Sequence, residues 1–376
     1  MDAMEGHDDP TAGIRACGEA AADGGGGSQP TRPTSRLLRP TLGLLALVAI
    51  VQWVPQWGEW WWSALITPFT PHLAVLAGAL FVALLTLREW ELSVLAIGLC
   101  MAQAWPVWEA ASASDLTQAE ALEWRARQAA EQRQLKQPLP PLGDLRQAPE
   151  SCRLLLANVN TANQGWHQLL DLVQEEEPDV IALLEVSDAW MEGLAPLLAT
   201  HPLRAAEPRG DNFGIALWSR IEPTTAAVIQ STNPSIFSRE TPMIRARLPL
   251  AGGPLSLLVG HAPPPIGQGL TGRRNIQVMG LGAMASSDHD RTVLAGDFNM
   301  TPWCPPLRGL LGDRHQLHDA RRTSGAGLLT TWPAALPSAL RIPIDHILHD
   351  ASVTCTSLRL GPPIGSDHLP LIADLR

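Results

Sequence analysis

A mixed α/β (α+β) domain carried behind a helical transmembrane region is the fold class that three features of the sequence predict. From Thr41 to Trp108, long apolar runs are interrupted by only four charged residues, Glu59, Arg88, Glu89 and Glu91. From Ser151 onward the apolar runs become short, and helical stretches and turns separate them. In that second half the polar residues recur at one kind of place, where an apolar run stops. The chain has 376 residues and is 45% hydrophobic, which suits either a globular enzyme or a partly membrane-embedded one. The distribution of those residues decides for the latter.

Residues 1–36, with "ADGGGGSQPTRPTS" near their end, are rich in Gly, Pro and Ser and lack apolar periodicity, so a disordered leader is expected there. Residues 37–108 hold a basic flank and three expected spans, about Pro40–Trp57, Thr67–Leu87 and Leu92–Trp108. Each approaches the roughly 20 residues that a hydrocarbon core requires. The stretch "WVPQWGEWWW", Trp53–Trp62, reads as an interfacial belt of rings with one apolar and one wet side. Cleavage as a signal peptide is disfavoured, because no small-x-small site precedes the Trp cluster and the polar leader is long. Arg32, Arg36 and Arg39 precede the first span, and Arg88 lies between the second and third. The positive-inside rule then places the leader and Arg88 in the cytoplasm and everything after Trp108 outside it, in a multi-pass protein of the cell membrane. Within 109–150, Ser114–Lys136 is rich in helix formers behind an N-cap candidate, Ser114 or Asp115, and "QPLPPLGD" ends it as a stiff spacer.

The remaining residues, 151–376, form the expected catalytic domain. "CRLLLANVN" and "VIALLEVS" are strand-like, and "WHQLLDLVQEEEPD" between them has helical spacing. "NFGIALWSR", "LSLLVGHAPPP", "TVLAGDFNM" and "IDHILHD" follow as further strands. At the strand ends stand Asn158, Glu185, His261, Asp297 with Asn299, and Asp345 with His346, and Asp367 and His368 fall in "GSDHLPLIADL". Each alone could be a turn residue, a cap or a core imidazole. Their joint recurrence at strand ends is what points to a site.

The ordered series "LLLANVNTANQ", "PDVIALLEVSDAW", "NFGIALWSR", "LVGHAPPP", "LAGDFNMTPW", "IPIDHIL" and "GSDHLPL" resembles the endonuclease/exonuclease/phosphatase superfamily of metal-dependent phosphoesterases, in its membrane-anchored bacterial form. The resemblance covers essentially all of 151–376. It implies a four-layer sandwich of two mixed β-sheets flanked by helices, with the site at one end of the sheets. It also implies Mg²⁺, with Mn²⁺ as an alternative.

The chemistry gives these residue types their reasons. Hydrolysis of a phosphoester needs an activated water, neutralised phosphate oxygens and a stabilised leaving oxygen, and a hard cation bound through one or two carboxylates serves the last two. Glu185 is the expected primary ligand, with Asn158 offering an amide oxygen and, by the resemblance, Asp367 a second carboxylate. Asp297 is expected to position and deprotonate the water. Asn299, two residues on and on the same strand face, would donate to the phosphate. Phe298 then points into packing, and Gly296 allows a close approach. By the resemblance, Asp345 pairs with His368 and favours its imidazolium, and His261 hydrogen-bonds a phosphate oxygen.

Substrate and partners are less constrained. From Ser151 the domain has 17 Arg and no Lys against 21 acids, a formal charge of 17 − 21 = −4, whereas a nonspecific nuclease usually presents a basic surface. A lipid bilayer is the expected partner, and a lipid-linked phosphate, pyrophosphate or phosphodiester is favoured over nucleic acid. Arg273 and Arg274 are candidate rim residues for an anionic headgroup. No protein partner is evident. An extracytoplasmic nuclease and a non-catalytic anchored binding domain are the alternatives, and the complete set of site residues speaks against the second. The cysteines show no zinc spacing. By the resemblance, Cys152 and Cys355 lie on neighbouring strands and could bridge, leaving Cys304 a free thiol.

Overall fold

The computed structural model describes residues 35–53, 61–112, 148–229, 241–288, 290–311 and 317–376. The leader up to residue 34, most of the Trp belt, the Ser114–Lys136 helix and the Pro-rich spacer lie outside these residues.

Strict alternation along the central strands builds the domain in layers. In β1 (Cys152–Asn158), Leu154 and Leu156 enter one apolar cluster while Leu155 and Ala157 enter another. β2 (Val180–Leu184) divides in the same way, because successive side chains point to opposite faces. Both faces are therefore apolar, and each strand reads as a continuous hydrophobic run.

The first sheet has the order β11-β12-β1-β2-β4-β3, with β3 at Leu203–Glu207, β4 at Ile215–Ser219, β11 at Cys355–Leu360 and β12 at Leu371–Leu375. The second has the order β5-β6-β7-β8-β10-β9. Its strands are β5 (Thr225–Ile229), β6 (Met243–Leu248), β7 (Leu255–His261), β8 (Arg291–Asp297), β9 (His318–Asp319) and β10 (Asp345–His349). β1 pairs in parallel with β2, and β7 with β8, while the other pairings are antiparallel.

The sheets share one inner core, which includes Leu154, Leu184, Leu217, Ile244, Leu257, Val293 and Ile347. Outside the first sheet, Leu169, Leu172 and Val173 line one face of helix α5 (Trp166–Glu176), joined by Trp190 of α6 (Asp188–Gly193). Outside the second sheet lie α7 (Gln268–Ser287), through Val278 and Leu281, and α8 (Pro305–Leu310). A short α9 (Ala320–Thr323) precedes β10. Two sheets between two helical layers make the four-layer sandwich expected above.

The Cys152–Cys355 bridge that the resemblance allows does not form, and both thiols are free and buried. Each cysteine registers with Leu375, so β12 runs between them. Two strand spacings, roughly 9–10 Å, exceed the reach of a disulfide. Cys304 is buried, and its Sγ contacts the Thr301 hydroxyl at 3.3 Å.

Amino-terminal to the domain, α1 (Ser35–Trp53), α2 (Trp61–Ile66), α3 (Thr70–Thr86) and α4 (Trp90–Ser112) form a helical unit around Leu42, Leu80 and Leu84. Two stretches, Trp61–Thr86 and Trp90–Ala110, are long and apolar enough to cross a membrane. The first expected span is helical from Ser35 to Trp53, with Pro40 inside the helix, and is not one of these two.

Candidate active site

Strand ends from both sheets converge at one edge of the inner core. Asn158 closes β1, and Glu185 follows β2 in a left-handed conformation at φ 60°. His261 closes β7 and Asp297 closes β8, and the two are paired in register. Asp345 opens β10 directly opposite Asp297. At Gly296, a Cβ would meet the Gly260 carbonyl oxygen at 1.9 Å, so no side chain fits between β7 and β8 there. The loop before β12 brings in His368. Ser366 pins it by donating its hydroxyl to the Asn158 carbonyl at 2.7 Å and accepting the His368 N–H at 3.1 Å.

These residues contact one another directly. The Asn158 amide nitrogen donates to Glu185 Oε1 at 2.9 Å and to Asp297 Oδ2 at 3.2 Å, so it links the two carboxylates. His368 Nδ1 lies 2.9 Å from Asp345 Oδ2, and its Nε2 lies 3.7 Å from Asp297 Oδ2. His261 Nε2 is 3.6 Å from Asp297 Oδ2 and 3.9 Å from Glu185 Oε1. Among the described residues, Asp297, Asp345 and His368 bring ligand atoms within 4.8 Å of one another, close enough to hold a metal ion.

Burial and charge set the protonation states. Burial pulls the His368 imidazole down, but the Asp345 and Asp297 charges and the Asp345 hydrogen bond raise it to about 10, so it is an imidazolium at neutral pH. Asp345 is buried too, yet the His368 charge and hydrogen bond hold it below the usual carboxylate range. Asp297 is pushed well above that range by burial and then by the Asp345 charge. Burial, followed by the His368 charge, lowers His261 to about 4. His261 is therefore neutral at pH 7, and its contacts with Asp297 and Glu185 are not ion pairs. Burial is also the largest influence on Glu185, whose pKa is raised, and Asp367 adds to the rise. A cation bound at Glu185 would relieve that raised state, and carboxylate oxygens of this kind suit a hard divalent ion.

Residues 155–368, more than half of the chain, match the Endonuclease/Exonuclease/phosphatase family. The chain belongs to this family. Its class is accordingly that of the phosphoric ester hydrolases. No curated protein matches the chain. A humanized D. rerio TDP2 superimposes at TM-score 0.51 and 16% identity, covering 60% of this chain and 99% of that one. An endonuclease/exonuclease/phosphatase from Bacteroides vulgatus superimposes at TM-score 0.51 and 18% identity, covering 60% and 98%. D. rerio TDP2 complexed with single-strand DNA product gives TM-score 0.50 at 16% identity, covering 60% and 99%. At such identities the likeness is one of fold.

Within the family frame, Asn158, Glu185, His261, Asp297, Asp345 and His368 lie together, while other sequence expectations need correction. β8 ends at Asp297, and Asn299 sits in a left-handed turn at φ 50° instead of continuing the strand. The Asn299 N–H donates to Asp297 Oδ1 at 2.9 Å, and its side-chain amide donates to the Ala262 carbonyl at 2.9 Å. It thus braces the Asp297 carboxylate and the loop after β7 instead of presenting its amide along a strand face. Asn158 Oδ1 accepts the Asn160 N–H at 3.1 Å, so its oxygen is engaged in a turn and its nitrogen faces the carboxylates. Arg274 is buried, with Nη1 donating to the Asn299 carbonyl at 3.0 Å, and is a brace beneath the site, not a rim residue. Arg273, the next residue back, is exposed. Phe298 does point into packing, stacked on His346 at 5.4 Å between ring centroids.

Asn160, Trp332 and Arg321, which brace the site residues, stand out in no sequence pattern. Asp367 accepts from Asn160 Nδ2 at 2.8 Å and from Trp332 Nε1 at 3.0 Å, which fixes its carboxylate. Beneath Asp345, Arg321 is buried against Asp319 and His346 and donates to the Asp345 carbonyl. His346 Nε2 lies 2.8 Å from the Met300 carbonyl, which ties β10 to the loop after Asp297. The "NVNTAN" run and "TTWPAALP" contain Asn160 and Trp332, but only the fold places them beside Asp367.

Proposed function

We propose that the protein is a membrane-anchored phosphoester hydrolase whose catalytic domain lies outside the cytoplasm and acts on a lipid-linked phosphate, pyrophosphate or phosphodiester. The observation that carries this reading is where the helical unit meets the domain. Trp303 Nε1 donates to the Thr67 carbonyl at 2.8 Å, the Trp61 N–H to Gln268 Oε1 at 3.3 Å, and Arg308 Nη2 to Glu109 Oε2 at 2.5 Å. These contacts fall at one end of the α3–α4 hairpin. Arg88 and the Arg39–Glu89 pair, 3.8 Å apart, lie at the other. Basic residues at one end and the domain at the other are the arrangement that the positive-inside rule assigns to an extracytoplasmic domain. The outward face of the hairpin is apolar, with Val75 74% and Val94 70% exposed, as a lipid-facing surface requires. Trp303 belongs to the same loop as Asn299, so the site itself is held near the membrane surface.

The residues divide the reaction among them. Asp297, made more basic by burial, accepts a proton from the attacking water when it is ionised, and Asn158 and the Asn299 N–H fix its orientation. His368, kept cationic by Asp345, stabilises charge that develops on the phosphoryl oxygens. Neutral His261 offers an N–H to a phosphate oxygen without contributing charge. Glu185, together with Asp367, would hold a divalent ion, Mg²⁺ or Mn²⁺. When bound, that ion supplies charge neutralisation at the phosphate oxygens.

The test is a metal-dependent hydrolysis screen of the full chain in lipid nanodiscs on polyprenyl pyrophosphate, phospholipids and single-stranded DNA. Turnover of one of the lipid substrates ahead of DNA is expected. Turnover of DNA alone would instead favour a nuclease, in keeping with the single-strand DNA product held by D. rerio TDP2.

A further inference from the structure

Helix α7 joins the site to the hairpin, and its two faces differ in an informative way. Its inner face carries Thr271, Arg274, Gln277, Val278 and Leu281, all buried against the second sheet and the site loops. Arg274 holds the Asn299 carbonyl, and Gln277 Nε2 donates to the His261 carbonyl at 3.2 Å. The outer face follows the helical spacing Arg273, Ile276, Met279 and Ala283, all exposed. A solvated helix normally carries charged and polar residues on this side. Here Ile276 is 47% exposed and Met279 37%, and Ile266, just before the helix, is 65% exposed. The helix contains no acid and no Lys.

The helix is also joined to the amino-terminal helical unit. At its start, α7 packs on α2, where Gln268 accepts the Trp61 N–H and where Leu65 is also exposed. Farther along, Gly282 packs so closely on Leu310 of α8 that a Cβ would meet it at 2.2 Å. The same α8 reaches Glu109, at the end of α4, through Arg308. Both halves of the helix are therefore tied to the end of the hairpin at which the domain sits.

We propose that α7 is an interfacial helix, seated on the lipid surface of the outer leaflet through Ile266, Ile276 and Met279, with the bilayer as the partner of this face. The proposal rests on the membrane-anchored reading given above. A helix of this kind lies in the headgroup plane with its apolar side immersed about 5–10 Å. Because its inner face holds the backbone at both His261 and Asn299, that seating presents the active site to phosphates at headgroup level.

Depth-dependent fluorescence quenching tests it. The full chain, with Cys17→Ser and Cys100→Ala, is reconstituted in phosphatidylcholine nanodiscs with a polarity-sensitive fluorophore on Ile276→Cys. Leu198→Cys, exposed in the helical layer of the other sheet, and Val94→Cys, exposed on α4, serve as references. Shallow doxyl-labelled phosphatidylcholine is expected to quench the label at 276 at least about twofold more than that at 198, as an interfacial helix requires. Aqueous iodide should show the reverse order. Equal quenching at 276 and 198, or a label at 276 shielded from both quenchers by protein, would overturn the proposal. If 276 fails while 94 is quenched by lipid, anchoring stands and only the seating falls. If 94 also escapes lipid quenching, the anchored reading falls as well. Hydrolysis of bis(4-nitrophenyl) phosphate by the same preparations shows separately whether the catalytic assignment survives.

Discussion

Glu185 occupies a left-handed turn, is partly buried, and accepts hydrogen bonds from Asn158 and from the Thr161 N–H. Its raised pKa marks a carboxylate whose charge the protein alone does not compensate. Glu185→Gln keeps the shape and removes the charge, so the divalent-metal concentration for half-maximal activity should rise at least about tenfold, since a neutral amide is a weak ligand for a hard cation. A metal titration of activity checks this, and an unchanged requirement would place the ion elsewhere, for instance in the Asp297–Asp345–His368 group. The Asp345–His368 pair makes a second prediction, read in stability against pH. His368 is raised to about 10 in the folded state, so its contribution is complete below the unfolded pKa of about 6.5 and fades as pH rises towards the folded value. Asp345 is lowered, so its contribution is present above about 3.9 and is lost as pH falls through the folded value. The stability difference between the parent chain and Asp345→Asn should therefore peak between about pH 4 and 6.5 and shrink into the alkaline range. A pH-independent difference in thermal unfolding would contradict the charged pair.

At the scale of elements, the site depends on how closely β7 and β8 approach. Gly296→Ala would drive a Cβ into the Gly260 carbonyl, and the backbone of a central parallel pair must move to admit it. A loss of about 1–3 kcal/mol in unfolding free energy is expected, with activity falling because His261 and Asp297 sit one residue farther along these strands. Unchanged stability and activity would show the contact to be slack. The central strands are legible in the sequence because buried parallel strands read as unbroken apolar runs, and a polar residue that ends such a run stands out. That is why Asn158, Glu185, His261, Asp297 and Asp345 can be named together. The edge strands β3 and β5 are not legible, since "LRAAE" and "TAAVI" are short, rich in Ala and only partly buried. Nor can the sequence reveal that Asn299 leaves the strand, because the turn depends on a left-handed backbone and on the Ala262 carbonyl across the sheet. Arg274 reads as a surface cation beside Arg273. One step of about 100° around α7 separates a buried brace from an exposed residue, and the near-uniform composition of that helix gives no sign of which is which. The Cys152–Cys355 pairing fails for a related reason: the strand between them is the last in the chain.

On the scale of the whole molecule, the proposed orientation can be tested from the ends of the hairpin. Arg39 and Arg88 lie at the far end of the hairpin from Trp61, Thr67 and Glu109, the residues that touch the domain. A reporter fused after Arg376 should accordingly be active only on the extracytoplasmic side. Cytoplasmic activity of the fusion would remove the orientation and, with it, the case for an outer-leaflet substrate. The central claim, that these converging strand ends hydrolyse a phosphoester, is tested most directly by single-turnover and steady-state assays of the full chain in nanodiscs, parent against Asp297→Asn. General-base help is typically worth about 10² to 10⁴ in rate, so the variant should lose at least about 10² in kcat on whichever substrate the parent cleaves, while KM changes little. Adding His368→Gln to Asp297→Asn should cost much less than the product of the two single losses, because groups that serve one step are not additive. Near-full turnover by Asp297→Asn would contradict the account.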